Sequence, residues 1–266
     1  LLIDALLNFD FIRYSLISGL LIGFIAPLIG AFIVVRRLSL IADALSHVTL
    51  GGISFGMFLL TIIPVFSVIN PMWFGILFAV IGALLIEKLR TSFSNYQEIA
   101  IPIIMSAGIA LSAIFISLAD GFNQEIVGLL FGSISAVNIS DLTTIIIITI
   151  IVLIFIVLFY KELFILSFDE EYSKVIGIPK WIQFLFIVIV AMVISASMRV
   201  VGILLVSALI TLPIAISMRI TKGFKQLIAL SVILGELSVI LGLIIAFYMN
   251  ISPGGVIVVL LVLMQI

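Results

Sequence analysis

Residues 142–159 read LTTIIIITIIVLIFIVLF, a run without a single charge or proline. That is close to the roughly 20 apolar residues a helix needs to cross the hydrocarbon core of a bilayer. Similar runs recur along the chain between polar residues, prolines and glycines. They cover 15–35, 40–60, 72–86, 99–119, 142–159, 181–197, 203–218, 227–249 and the stretch from 255 onward. The seventh and ninth are short, and Pro213 is expected to break the seventh. The fold class that follows is all-α: a polytopic transmembrane bundle of eight or nine spans, forming one domain over residues 1–266.

Composition points the same way. Hydrophobic residues make up 65% of the chain and charged ones 9%, against about 25% charged in soluble domains. A soluble fold could not cover so much apolar surface with so few charges. The net charge of −1 offers no electrostatic footprint for nucleic acid. There is no cysteine, so disulfides, thiolate metal sites and cysteine nucleophiles are all excluded. No short signal peptide with a cleavage site is visible. The opening stretch carries Asp4 and Asp10 among apolar residues and reads as an interfacial helix within residues 1–14.

Basic residues orient the bundle. If the first span ends on the cytoplasmic side, Arg36, Arg37, Lys88, Arg90, Lys161, Lys174, Lys180, Arg219, Lys222 and Lys225 lie inside, and only Arg13 and Arg199 lie outside. This bias places the N-terminus outside and the C-terminus in the cytoplasm. The longest inner connection, 161–180, contains Ser167 three residues before Glu170, a capping-box spacing, and a stop at Gly177-Ile178-Pro179. It is expected to hold a short cytoplasmic helix within 167–179. The outer connection 120–141, with Gly128 and Gly132, reads as a broken or re-entrant segment.

The chemistry centres on Asp43 and on His47, the sole histidine. An ionisable residue in mid-membrane is costly and is usually kept for function. The i, i+4 spacing puts both side chains on one helix face, a turn apart. Ser46 and Ser54 extend that face as candidate pathway residues, and Gly52 and Gly56 form an opposite packing face. His47 lies ten residues past Arg37, roughly 15 Å or half the hydrocarbon core. A carboxylate and an imidazole suit Mn²⁺, Fe²⁺ or Zn²⁺ better than Ca²⁺ or Cu⁺. One chain supplies only two such ligands, whereas a symmetric dimer would supply four. Spacing alone leaves two other readings open, a helix-linking Asp–His hydrogen bond and a proton relay.

Glu236 is the other deeply placed acid, able to line a path or to bond a neighbouring helix. Glu87, Glu98 and Asp141 fall at span ends, where solvation is expected. Gly19 and Gly23 read as helix packing, and Asp169 to Glu171 as a solvated helix start. No hydrolase elbow, zinc-protease helix or phosphate-binding Gly-Lys-Ser/Thr loop is present. The chain is thus expected not to be an enzyme, and any ATP-driven step requires a second polypeptide.

From Ile25-Ala26-Pro27 through Arg36-Arg37-Leu38-Ser39-Leu40-Ile41-Ala42-Asp43-Ala44-Leu45-Ser46-His47, the chain resembles the permeases of manganese, zinc and iron ABC importers. The match continues at Leu130-Phe131-Gly132-Ser133-Ile134 and Ser167 to Pro179, then at Val200-Val201-Gly202, Leu212-Pro213 and Ile251-Ser252-Pro253-Gly254-Gly255. Asp43-Ala44-Leu45-Ser46-His47 is its most specific element. The resemblance implies a permease working as a dimer, with a second copy of itself or as half of a pseudo-dimer, related to cobalamin and siderophore importers. It implies a cytoplasmic ABC ATPase dimer, an extracellular or periplasmic metal-binding solute-binding protein, and a place in the cytoplasmic membrane of a prokaryote. Asp43 and His47 would be ion ligands, with the divalent metal as cargo and no cofactor permanently bound. Asp169, Glu170, Glu171 and Gly177 would belong to a coupling helix seated on the ATPase. The stretch Phe168 to Ser173 is more acidic and less alanine-rich than the family pattern, and Glu236 falls on none of its motifs. The alternative is a secondary transporter or channel using Asp43 and His47.

Overall fold

In a computed structural model of the chain, the described residues are 8–63, 70–93, 96–119, 124–133 and 137–266. They form helices α1 (Asp10–Val35), α2 (Leu40–Ile62), α3 (Met72–Ser92), α4 (Ala100–Leu118), α5 (Gln124–Phe131) and α6 (Ile139–Leu158). These are followed by α7 (Tyr160–Phe168), α8 (Glu170–Ile176), α9 (Lys180–Val201), α10 (Ile203–Ile220), α11 (Phe224–Met249) and α12 (Pro253–Gln265). Seven of them, α1, α2, α3, α4, α6, α9 and α11, are long and apolar enough to cross a membrane, and two shorter apolar helices lie within α10 and α12.

Helices that are apolar all round need either a protein core or lipid around them, and this bundle uses both. In α1 and α9, 72% of the apolar window is buried, against 33% in α3, α4 and α11. The first two therefore form the centre, α1 packing on α11, α10 and α6, and α9 packing on α3, α6 and α2. The outer helices turn apolar ridges away from the protein, such as Leu77, Ile81 and Leu85 on α3. With every ladder bond satisfied inside its own helix, such faces can meet hydrocarbon at no polar cost.

The structure alters several expectations. Helix α1 starts at Asp10, so residues 10–14 continue into the first long helix, while 1–7 of the expected interfacial helix lie outside the described residues. Pro213 does not interrupt α10, which runs through it. Neighbouring helices tolerate a proline in such a setting, and the hydroxyls of Ser217 and of Ser231 on α11 both donate to the Pro213 carbonyl, tying the two helices together. Asp141 is not solvated. It closes a capping box with Asn138 at the start of α6 and is fully buried against Arg199, whose Nη1 donates to its Oδ2 at 3.1 Å. Arg199 also pairs with Glu125 of α5 at 3.9 Å.

The connection between α4 and α6 holds α5, a short helix docked on α9, α10 and α12. Its end is fastened where Ser133 N–H donates to Arg199 O. There a single residue, Gly202, links α9 to α10 with φ 91° and ψ 148°, a region of backbone space occupied almost only by glycine. Gly132 and Gly254 press against the carbonyls of Val200 and Val201 at the same point, so three strands of backbone meet without side chains between them.

The connection between α6 and α9 forms two helices rather than one. The N-cap of α8 is Asp169, not Ser167: its carboxylate accepts from Tyr172 N–H at 2.8 Å. Ser167 lies inside α7 and donates to Leu163 O. An aspartate at the N-cap serves both the free N–H groups and the helix dipole. Gly177 ends α8 in the left-handed region at φ 82°, and Ile178 N–H reaches Ser173 O at 3.0 Å in a Schellman-type stop.

Candidate functional site

Helix α2 carries Asp43 and His47, and its neighbours are α3, α4, α9 and α10. Small residues make this fit. Gly52 faces Phe74 and Phe78 of α3, as the packing reading of Gly52 and Gly56 expected, and Gly108 of α4 brings its backbone against His47 and Val48. A Cβ on Gly108 would stand 2.7 Å from Val48 N and 3.0 Å from the carbonyl carbon of His47. On the α9 side, the Thr49 and Ser195 hydroxyls meet at 3.2 Å. The helix is thereby clamped on most of its circumference.

One strip stays uncovered: Leu40 is exposed, and Asp43 and His47 are half-buried. Neither the Asp43 carboxylate nor the His47 imidazole makes a hydrogen bond or ion pair with the described residues. The helix-linking bond that spacing allowed is thus not formed. Among the described residues, no cluster of three or more His, Cys, Asp or Glu surrounds them. A carboxylate and an imidazole, one turn apart, are thus left half-exposed and without partners among the described residues. The polar strip is shorter than the sequence suggested. Ser46 is fully buried and donates to Ala42 O at 2.8 Å, and Ser54 is covered as well. Glu236 is half-buried on α11, beside Gly23 of α1, and does not join Asp43 and His47.

In the connection between α6 and α9, α8 presents Asp169 and Glu171 to solvent and turns Glu170 towards the bundle. The carboxylate of Glu170 lies 3.8 Å from Arg36 and 3.7 Å from Arg90. Arg36, the C-cap of α1, has a side chain only 4% exposed, lies over the Phe186 ring, and has both terminal nitrogens without a hydrogen-bond partner. Burial and the nearby Arg90 charge lower its pKa, and the carboxylates of Glu170 and Glu87 raise it. Arg90 donates to Glu87 and Gln97, each at 3.1 Å, and Glu87 accepts from Gln183 of α9 at 2.7 Å. Glu87 therefore belongs to a network rather than to solvent, while Glu98 is exposed as expected. Arg36, Arg90 and Gln183 were not singled out from sequence. Only the i, i+3 spacing of Glu87 and Arg90 hinted at the network, because the rest is brought together by four different helices.

The chain is thus an all-helical membrane bundle that carries an unpartnered carboxylate and imidazole on one helix. Residues 8–266 match the ABC 3 transport family, and the chain belongs to that family. It is 31% identical to a protein of Treponema pallidum named "Probable metal transport system membrane protein", over 94% of this chain and 91% of that one. It is 30% identical to the "Manganese transport system membrane protein MntC" of Listeria monocytogenes, over 97% and 89%. Among solved structures, PsaBC from Streptococcus pneumoniae in complex with Fab superposes with a TM-score of 0.84 at 30% identity, covering 99% of this chain and 92% of that one.

Proposed function

We propose that this chain is the membrane subunit of an ATP-driven importer that carries a divalent transition metal, Mn²⁺ foremost and Zn²⁺ or Fe²⁺ by the same ligand chemistry, into the cell. The observation that carries the reading is the Asp43–His47 pair, held rigidly on α2 and left without partners. Two copies of the chain, meeting along this face, bring together two carboxylates and two imidazoles, a four-ligand set of mixed O and N donors. The carboxylates neutralise the ion in a low-dielectric passage, and the imidazoles favour borderline metals over Ca²⁺. A transport site must also release its ion, so occupancy is transient and changes with conformation. The name of the Listeria relative supports manganese as cargo. A solute-binding protein delivers the ion from outside, and a separate ABC ATPase docks on α8 from the cytoplasm.

The test is flux in proteoliposomes containing the permease and its ABC ATPase. Manganese accumulation that needs ATP is expected, and ion flux that ignores ATP would favour a secondary transporter or channel instead.

Orientation follows from the bias of the basic residues, with α8 in the cytoplasm and Asn250 outside. The chain has no cysteine, so single cysteines report cleanly. Glu171→Cys should react with an impermeant thiol reagent only after the membrane is opened, and Asn250→Cys in intact cells. Reaction at position 171 from outside would invert the topology.

Gly177 supports the coupling reading, because it is a left-handed stop with open space around it. Gly177→Val places a β-branched residue there at a cost of about 1–2 kcal/mol, with no clash to unfold the bundle. The variant should insert normally yet lose about fivefold or more of its uptake per ATP hydrolysed. An unchanged ratio would remove Gly177 from the coupling path.

A further inference from the structure

Helix α8 has a thin attachment to the rest of the molecule. Its main packing neighbour is α7, the helix that immediately precedes it. Asp169 is committed to the N-cap, Glu171 points to solvent, and the exposed Lys174 pairs within the helix with Glu170 Oε1 at 3.8 Å, leaving Oε2 to the permease side. What reaches inward is Glu170, whose carboxylate stands between two buried guanidiniums, 3.8 Å from Arg36 and 3.7 Å from Arg90.

These two arginines end the helices that matter to the candidate ion site. Arg36 caps α1, and the chain turns through Arg37, at φ 59°, and Leu38 to enter α2 at Leu40. Arg90 lies in the last turn of α3, which packs along α2. Through Glu87 and Gln183 the same cluster reaches α9, whose Ser195 touches Thr49 of α2. A displacement of α8 can therefore reach α2 by two charged routes. The cluster is also loosely made: the terminal nitrogens of Arg36 have no hydrogen-bond partner, and Glu170 is within ion-pair range of both arginines without a hydrogen bond to either. A carboxylate shared in this way can shift between partners over a small distance, since neither contact is closed.

We propose that Glu170 is a positioning residue that transmits movement of α8 to the ion-site helix, by exchanging its ion pairing between Arg36 at the end of α1 and Arg90 at the end of α3. This rests on the reading of α8 as the ATPase contact. It differs from a docking role, since Glu170 faces the permease while Asp169 and Glu171 face outward. It differs from a purely structural role in that stability and coupling should separate.

The experiment uses the permease with its ABC ATPase in proteoliposomes, measuring manganese uptake, ATP hydrolysis and retention of the ATPase on purification. Glu170→Gln keeps the shape and removes the charge. ATPase retention and hydrolysis should stay near wild type while uptake per ATP falls about tenfold, and Glu170→Asp should restore much of that ratio. Replacing an exposed acid outside α8, Glu98→Gln, should leave the ratio unchanged. A wild-type ratio in Glu170→Gln overturns the proposal, as does loss of the bound ATPase, which would make Glu170 a docking contact. If wild-type vesicles take up manganese without regard to ATP, the functional reading itself fails, an outcome distinct from either of these.

Discussion

His47→Ala is expected to reduce manganese uptake in proteoliposomes to the level of empty vesicles. The imidazole makes no hydrogen bond or ion pair with the described residues and its loss leaves no buried partner unsatisfied, so insertion and thermal stability should be little changed. In a two-copy site the substitution removes two of four ligands at once. Partners that only orient a ligand already carry about 10–100-fold in metal affinity, so removing the ligand itself should exceed a hundredfold. Asp43→Asn should behave alike, because an amide keeps the shape yet supplies neither a strong donor nor a neutralising charge. Both are read by radiolabelled manganese accumulation, with melting in detergent as the control for folding. Wild-type uptake by His47→Ala would sink the site, and Glu236 would become the next acid to test.

Gly202→Val should have the largest effect on folding. At φ 91° and ψ 148° a residue other than glycine is strained by about 1–3 kcal/mol. The new Cβ would also stand 2.5 Å from Gly132 N and the carbonyl carbon of Phe131, which are backbone atoms that cannot rotate aside. The junction of α5, α9 and α12 would have to open, and with it the sharp return from α9 to α10. The expected result is poor membrane accumulation and a detergent melting temperature well below wild type. Gly223→Val, with no atom within 4 Å of the added Cβ, is the comparison that should fold normally. Equal stability of the two variants would show that the junction is not tight.

Much of this was legible in the chain itself, for physical reasons. A bilayer demands long uninterrupted apolar helices, so runs such as 142–159 announce their helices without reference to any neighbour, and α10 and α12 were recognisable as the short ones. Asp43 and His47 stood out because a charge in an apolar run is costly, and local spacing alone puts them on one helix face. Gly177 was readable as a stop because the left-handed conformation is a local property of glycine.

What failed or stayed hidden depended on partners distant in sequence. Pro213 looked like a break, yet α10 passes through it among packed neighbours. Asp141 looked like a solvated span end, and only the fold brings Arg199 to it. Glu87 and Glu170 were two surface acids until α1, α3, α8 and α9 converged on them. Sequence by itself determined the solvent, the all-helical class and the presence of a carboxylate and an imidazole on one helix face, because backbone hydrogen bonding in lipid and helical periodicity are both local. Tertiary structure alone decided that those two side chains are left unpartnered among the described residues while Ser46 and Ser54 are covered, and that Glu170 lies between Arg36 and Arg90. Burial and charge pairing arise from which helices touch, and no single helix carries that information.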